Sequence, residues 1–195
     1  MEAVAERLYS LEEYFAFCES HEGRFEFVNG EIIEMSGETT TSNRIAGNIH
    51  RYLAKVLEDS SYELYQNAVK LRVEGGKAVR IPDFLICEEK GDAIRYTTLP
   101  LLIVEVVSES SAKTDRVGKL HEYSSEPSLI YYLIIEQTKC SVEMYVRDGE
   151  RLYLEFYDKM EDVIKFPYFN AELPLQTIYR KVNFEFCNAL LKKKR

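Results

Sequence analysis

Long apolar runs, paired cysteines, clustered histidines and an excess of basic charge are all missing from this 195-residue chain. Each absence removes a class of protein. No apolar run approaches the ~20 residues that a membrane helix needs, so no bilayer contact is expected. Met1 to Tyr9 holds two Glu and no apolar stretch, and so does not read as a secretory signal. Cys18, Cys87, Cys140 and Cys187 are far apart and form no CxxC pair. That counts against a zinc ribbon or a redox motif and fits thiols in a reducing cytosol, so a cytoplasmic location is expected. His21, His50 and His121 show no ligand spacing and read as surface or helix-face positions. Lys and Arg number 25 against 33 Asp and Glu, a net charge of −8. A general nucleic-acid coating protein would be basic, although an enzyme with a local basic groove is compatible with this balance. The one strongly basic run, Lys192 to Arg195, reads as a solvated tail. With no internal repeat, low-complexity segment or linker, residues 1–195 are expected to form a single domain. Its core would span about residues 9–180, with a tail from 181.

What is present centres on Leu101 to Ser108, an almost continuous apolar run rich in Val and Ile that follows Pro100. It reads as a buried strand. One charge interrupts it, Glu105, and a carboxylate there is costly to desolvate unless something pairs with it. A metal ion is one candidate partner; a Lys or Arg is another. Ala78 to Cys87 is a second such run and carries Asp83 directly after Pro82. Two adjacent strands, each delivering one carboxylate, could build an oxygen-ligand site for a hard divalent cation. The bland alternative is that Asp83 starts a turn and Glu105 pairs with a buried base.

In chain order, Ser10 followed by Glu13 forms a capping box, and Leu11, Tyr14, Phe15 and Cys18 recur at helical spacing. Residues 10–20 should be a helix. Arg24 to Met35 alternates around Asn29-Gly30, a type I′ hairpin signal. Phe25, Phe27 and Ile32 are its core candidates; Glu26 then faces the other way, toward solvent or toward a site. Residues 37–42 read as a polar turn and 44–59 as a second helix. Residues 62–73 and 77–87 read as two strands joined by a turn at Gly75-Gly76. A charged loop, 88–98, precedes the central strand. A third helix is expected over 113–125, with Asp115, Lys119 and Tyr123 on one face and Val117 and Leu120 toward the sheet. Strands follow at 129–136, 139–147 and 151–157. A strand–helix–strand unit implies a parallel crossover, and the flanking hairpins make the sheet mixed. Residues 163–180 read as a short strand and a helical turn with Pro174 at its first position.

These elements, in this order, resemble the PD-(D/E)XK nuclease superfamily, and more closely its group of small restriction-endonuclease-like proteins. The resemblance rests on Arg24-Phe25-Glu26-Phe27-Val28-Asn29-Gly30-Glu31-Ile32, on Ile81-Pro82-Asp83, on Val104-Glu105-Val106-Val107-Ser108, and on Asp115-Arg116-Val117-Gly118-Lys119 with Tyr123. It implies a restriction-endonuclease-like α/β fold, with a central mixed sheet flanked by helices and antiparallel hairpins. It also implies a metal-dependent DNA endonuclease that uses Mg²⁺ or Mn²⁺. By resemblance, Asp83 and Glu105 hold the metal and Glu26 joins its shell. The superfamily usually carries Lys two residues after the Glu, where this chain has Val107. In the smaller group the lysine sits on the following helix, the position of Lys119, with Tyr123 one turn on to orient water or phosphate. The group also often has a His before the second helix; here the segment is Thr41-Ser42-Asn43-Arg44, with Arg44 as a possible substitute. Duplex DNA is the implied partner, and a homodimer pairing through the 140–157 hairpin is compatible.

Two other readings stand beside this one. A nuclease-like fold could serve without catalysis as a DNA-binding or protein-interaction module, which suits the acidic balance. A hydrolase of another phosphate ester fits the same residues. Lys119 could also be a solvated helix lysine paired with Asp115, and Glu26 a surface strand residue.

Overall fold

The computed structural model describes residues 7–35, 37–73, 76–88, 95–107 and 114–185, with no side-chain description for residues 114 and 115. Its elements are α1 (Leu11–Ser20), β1 (Phe25–Val28), β2 (Glu31–Glu34), α2 (Thr40–Val56), β3 (Glu63–Gln66), β4 (Leu71–Arg72), β5 (Ala78–Arg80), β6 (Phe84–Cys87) and β7 (Pro100–Val107). A π-helical turn (Thr114–Lys119) runs into α3 (Leu120–Ser124). Then come β8 (Tyr131–Glu136), β9 (Val142–Asp148), β10 (Arg151–Tyr157), β11 (Val163–Phe166), β12 (Ala171–Pro174) and α4 (Leu175–Ile178). No described helix is long and apolar enough to cross a membrane.

Six strands form the main sheet, in the order β10-β9-β8-β7-β6-β3. β7 and β8 run parallel, joined through the π turn and α3, and the other ladders of this sheet are antiparallel. A smaller sheet, β2-β1-β5-β4, packs with α1, and β11 pairs with β12. This is the mixed α/β architecture that the sequence implied.

Local chemistry explains the elements that were placed well. Ser10 Oγ accepts from Glu13 N–H and Glu13 Oε2 accepts from Ser10 N–H, the reciprocal bonds of a capping box. Val28 pairs with Glu31, leaving Asn29 and Gly30 as a two-residue loop with φ of 51° and 93°. Both positive values are what a type I′ turn demands.

The structure differs from expectation at five places. Helix α2 begins at Thr40 rather than 44, because Thr39 Oγ1 caps it by accepting from Ser42 N–H. The stretch 62–73 is two strands in two sheets, parted at Asn67, which takes a left-handed φ of 58°. The stretch 77–87 is likewise split into β5 and β6. Pro82 brings no N–H to a ladder, and the chain changes sheets there. The third helix opens as a π turn, and Val117 stands 65% exposed instead of facing the sheet. A π turn carries one residue more than an α turn, which shifts side-chain phase by about 100°. Residues 163–180 form a β11–β12 hairpin before α4, and Pro174 is the residue preceding that helix, not its first position. Ser108, Cys187 and the basic run 192–195 lie outside the described residues.

Two apolar cores sandwich the main sheet. Side chains alternate along β7: Leu102, Val104 and Val106 pack with Ile45, Ile49 and Leu53 of α2 and with Leu175 and Ile178 of α4. Ile103 and Val107 point the other way, into a core with Leu85, Tyr123, Tyr132 and Ile134. That second face, under α3, also receives the charges.

Candidate active site

Strand parity decides which residues can meet. Glu105 lies between Val104 and Val106, so it projects with Ile103 and Val107 onto the α3 face. Phe84 pairs with Val104, which sets Asp83 across from Glu105 one step along. Asp83 sits just before β6, so its own hydrogen bond, not strand parity, fixes its side chain. Asp83 Oδ2 accepts a 2.6 Å hydrogen bond from Val106 N–H, which ties the end of the β5–β6 connection to the central strand.

Glu105 is 4% exposed, and the π turn and α3 each bring it a partner. Lys119 Nζ stands 2.9 Å from Glu105 Oε1, and Tyr123 Oη donates to the same oxygen at 2.9 Å. Lys119 is the last residue of the π turn and is buried, so it is not a solvated helix lysine. The i, i+4 spacing of Lys119 and Tyr123 sets both over one carboxylate. Burial, reinforced by the charge of Glu105, pushes the Tyr123 hydroxyl well above the ordinary tyrosine range. At neutral pH it is therefore protonated and donates. Its ring packs edge-on against Tyr132, 5.1 Å between centroids.

Glu26 reaches the same neighbourhood from the smaller sheet. The pairing of Phe27 with Val79 brings Glu26 beside Arg80. Arg80 Nη1 donates to Glu26 Oε2 at 2.7 Å, and Ile81 N–H donates to Glu26 Oε1 at 3.1 Å. Both Glu26 oxygens thus accept from the segment that leads into Asp83. The other side of the Arg80 fork grips Glu122 of α3, with Nε to Oε2 at 2.8 Å and Nη2 to Oε1 at 2.6 Å. Burial works against the Arg80 charge, but Glu122 and Glu26 together hold its pKa above the usual arginine range. Glu26 is 5% exposed, which rules out a surface role.

Arg80 and Glu122 were not foreseen. Two signals were available: Arg80 is a lone cation in an otherwise apolar run, and Glu122 follows Lys119 at i+3. A second helix-to-sheet brace was missed as well. Arg116 of the π turn donates to Glu136 of β8 and to Glu143 of β9.

The donor chemistry suits a hard cation: Asp83 and Glu105 are oxygen ligands from neighbouring strand segments, and Mg²⁺ is commonly bound through one or two carboxylates, with waters and substrate phosphate completing its shell. Among the described residues no group of three His, Cys, Asp or Glu gathers closely enough to form an all-protein cage.

Against known families, residues 11–176 match the Uma2 model, described as "Putative restriction endonuclease". The chain belongs to the Uma2 family. Two uncharacterized proteins of Synechocystis sp. are similar to this Uma2 chain. One is 30% identical over 158 residues, covering 79% of this chain and 89% of its own length; the other is 25% identical over 179 residues, covering 90% and 93%. The crystal structure of a "putative nuclease" from Anabaena variabilis matches with a TM-score of 0.66 at 15% identity, over 82% of this chain and 93% of that one. At that identity the match establishes the restriction-endonuclease-like fold. Membership in Uma2 makes the chain nuclease-like, and it is residue 119 rather than residue 107 that brings a lysine to Glu105 in this member.

Proposed function

We propose that this protein is a metal-dependent endonuclease that hydrolyses phosphodiester bonds of duplex DNA in the cytoplasm. One observation carries the reading: buried Glu105 holds Lys119 Nζ and Tyr123 Oη, both 2.9 Å from the same oxygen, while Asp83 Oδ2 accepts from the next backbone N–H of that strand, Val106. Asp83 and Glu105 would hold Mg²⁺ or Mn²⁺, which when bound lowers the pKa of a coordinated water and neutralises charge on the phosphate.

The chain's own residues do the rest. Lys119 supplies a fixed positive charge beside the carboxylates, where negative charge develops on the phosphate and the attacking water must be oriented. Tyr123, kept protonated, locks the rotamer of Glu105. Glu26 positions Asp83 through Ile81 N–H and Arg80, and Glu122 braces Arg80 from the helix. The acidic shell first read as Glu26, Asp83 and Glu105 is thus proposed as two ligands and one positioning carboxylate. Two copies pairing along the edge strand β10, which exposes Tyr153, Leu154 and Phe156, would present two such sites to a duplex.

Plasmid cleavage with Mg²⁺ or Mn²⁺ tests the reading, comparing the parent with Asp83→Ala and Lys119→Ala. Cleavage should fall at least 100-fold in both. No cleavage by the parent, together with no Mg²⁺ binding by calorimetry, would replace the proposal with a non-catalytic module.

A further inference from the structure

The opposite face of the main sheet carries a groove that the candidate active site does not use. Helix α2, whose buried side packs on Val104 and Val106, lines one flank with Arg44, Asn48, Arg51, Tyr52 and Lys55. Thr177, Arg180 and Lys181, from α4 and the turn after it, form the other flank. The cavity between them measures about 490 Å³. Five of its eight lining residues are Arg or Lys, and among the described residues no carboxylate lines it.

That composition is out of keeping with the chain. Acids outnumber bases 33 to 25, so an average surface patch here is mixed or acidic. Gathering five cations in one groove costs self-repulsion. A bound anion would offset it.

The groove is also held in shape. Asn48 is buried, and its Nδ2 donates to the carbonyls of Ile178 and Arg180, each at 2.9 Å, fastening the end of α4 to α2. Its Oδ1 accepts from Arg51 Nη2 at 2.6 Å. Arg44 Nη1 donates to the Lys181 carbonyl at 2.9 Å, and Lys181 itself takes a left-handed φ of 61°. Two guanidiniums are thus pre-oriented by hydrogen bonds, while Lys55, Arg180 and the Lys181 side chain are outside those bonds. Guanidinium forks suit phosphate oxygens, and half-buried Tyr52 adds a ring to the wall.

We propose that this groove binds the phosphodiester backbone of DNA, as a second contact on the face opposite the candidate active site. From Arg44 to Lys55 the helix rises about 16 Å, a length over which one strand of a duplex advances by roughly five phosphates measured along the duplex axis. The choice of DNA as the polyanion rests on the endonuclease reading; the choice of an anion rests on the groove alone. Because the two sites lie on opposite faces, the groove would hold DNA without a metal and without Asp83.

The test is fluorescence anisotropy with a labelled 20-base-pair duplex in EDTA, from 50 to 200 mM salt. The proteins compared are the parent, Asp83→Ala, a groove variant (Lys55→Glu with Arg180→Glu) and a charge-matched control (Lys139→Glu with Lys159→Glu). The groove variant should bind at least tenfold more weakly at 50 mM salt. The slope of log affinity against log salt should be shallower by about two, as expected for two lost phosphate contacts. Asp83→Ala should bind like the parent even though it no longer cleaves, so failure of the nuclease reading leaves this arm intact. If the groove variant binds no more weakly than the control, or if the parent itself does not bind the duplex, the proposal is overturned. Lys55→Gln with Arg180→Gln, a milder pair, repeats the comparison should charge reversal disturb the fold.

Discussion

Two ion clusters tie the helical segment 114–124 to the sheets, and they differ in the cation. In the first, Arg80 spreads its fork between Glu26 and Glu122, linking strand β1, strand β5 and helix α3. In the second, Lys119 stands against Glu105, whose strand neighbour Val106 donates to Asp83. Arginine is planar, always charged and able to meet two carboxylates in fixed geometry, so it suits a permanent joint. Lysine is a compact charge on a flexible stem and can swing toward whatever anion arrives. The two clusters thus divide: the arginine joins three elements in fixed geometry, and the lysine meets its carboxylate on a flexible stem.

That division can be broken experimentally, and the largest effect should come from the arginine. Arg80→Ala leaves Glu26 and Glu122 buried without their cation, and unfolding in urea should show a loss of about 3–5 kcal/mol. Lys119→Met should behave differently. Its deficit should shrink when Mg²⁺ is added, because a divalent ion can replace the lost charge beside Glu105 and Asp83. The variant's melting temperature should therefore rise more with Mg²⁺ than the parent's. A Lys119→Met deficit that equals that of Arg80→Ala and ignores Mg²⁺ would erase the distinction between the clusters.

A smaller effect is expected at Glu26. Glu26→Gln keeps an oxygen for Ile81 N–H but loses the charged bond to Arg80, which still has Glu122. The cost in urea should be about 1–3 kcal/mol, and cleavage should fall with it as Asp83 loosens. A variant with parental stability would mean that Glu122 alone secures the arginine.

The smallest effect belongs to Tyr123. Tyr123→Phe removes one hydroxyl bond to Glu105 and should cost about 1 kcal/mol at neutral pH. Its pH dependence sharpens the point. The folded pKa of Tyr123 lies above the unfolded value near 10, so the unfolded chain releases its proton first as pH rises. The stabilisation from its protonated form is complete below about pH 10 and is lost above it. Denaturation between pH 8 and 11 should show a steeper alkaline decline in the parent than in Tyr123→Phe. Buried Tyr14 and Tyr179, also raised chiefly by burial, supply the decline that both proteins share.

Legibility from sequence followed range of interaction. The capping box at Ser10, the Asn29-Gly30 turn and the apolar run of β7 depend on neighbours in the chain, and all three stand where their residues placed them. Glu105 stood out because a charge in an apolar strand requires a partner wherever the strand goes. The partner's arrival from Lys119 depended on a π turn that no periodicity announces. Arg80 escaped notice because Ala78 to Cys87 reads as one strand, whereas the chain leaves one sheet at Arg80 and enters another at Phe84. The basic groove was still less visible. Arg44, Arg51 and Lys55 are an ordinary helix stripe until Arg180 and Lys181 close on them from more than 120 residues away.

Hydrophobic period and turn chemistry act over a few residues, so the chain announces its alternation of helices and strands, its mixed sheet and the carboxylates Asp83 and Glu105. The clamp of Arg80 between Glu26 and Glu122, and the seat of Lys119 on Glu105, come from packing. Those contacts join residues far apart in the chain, and a buried charge takes whichever opposite charge the packing brings within reach.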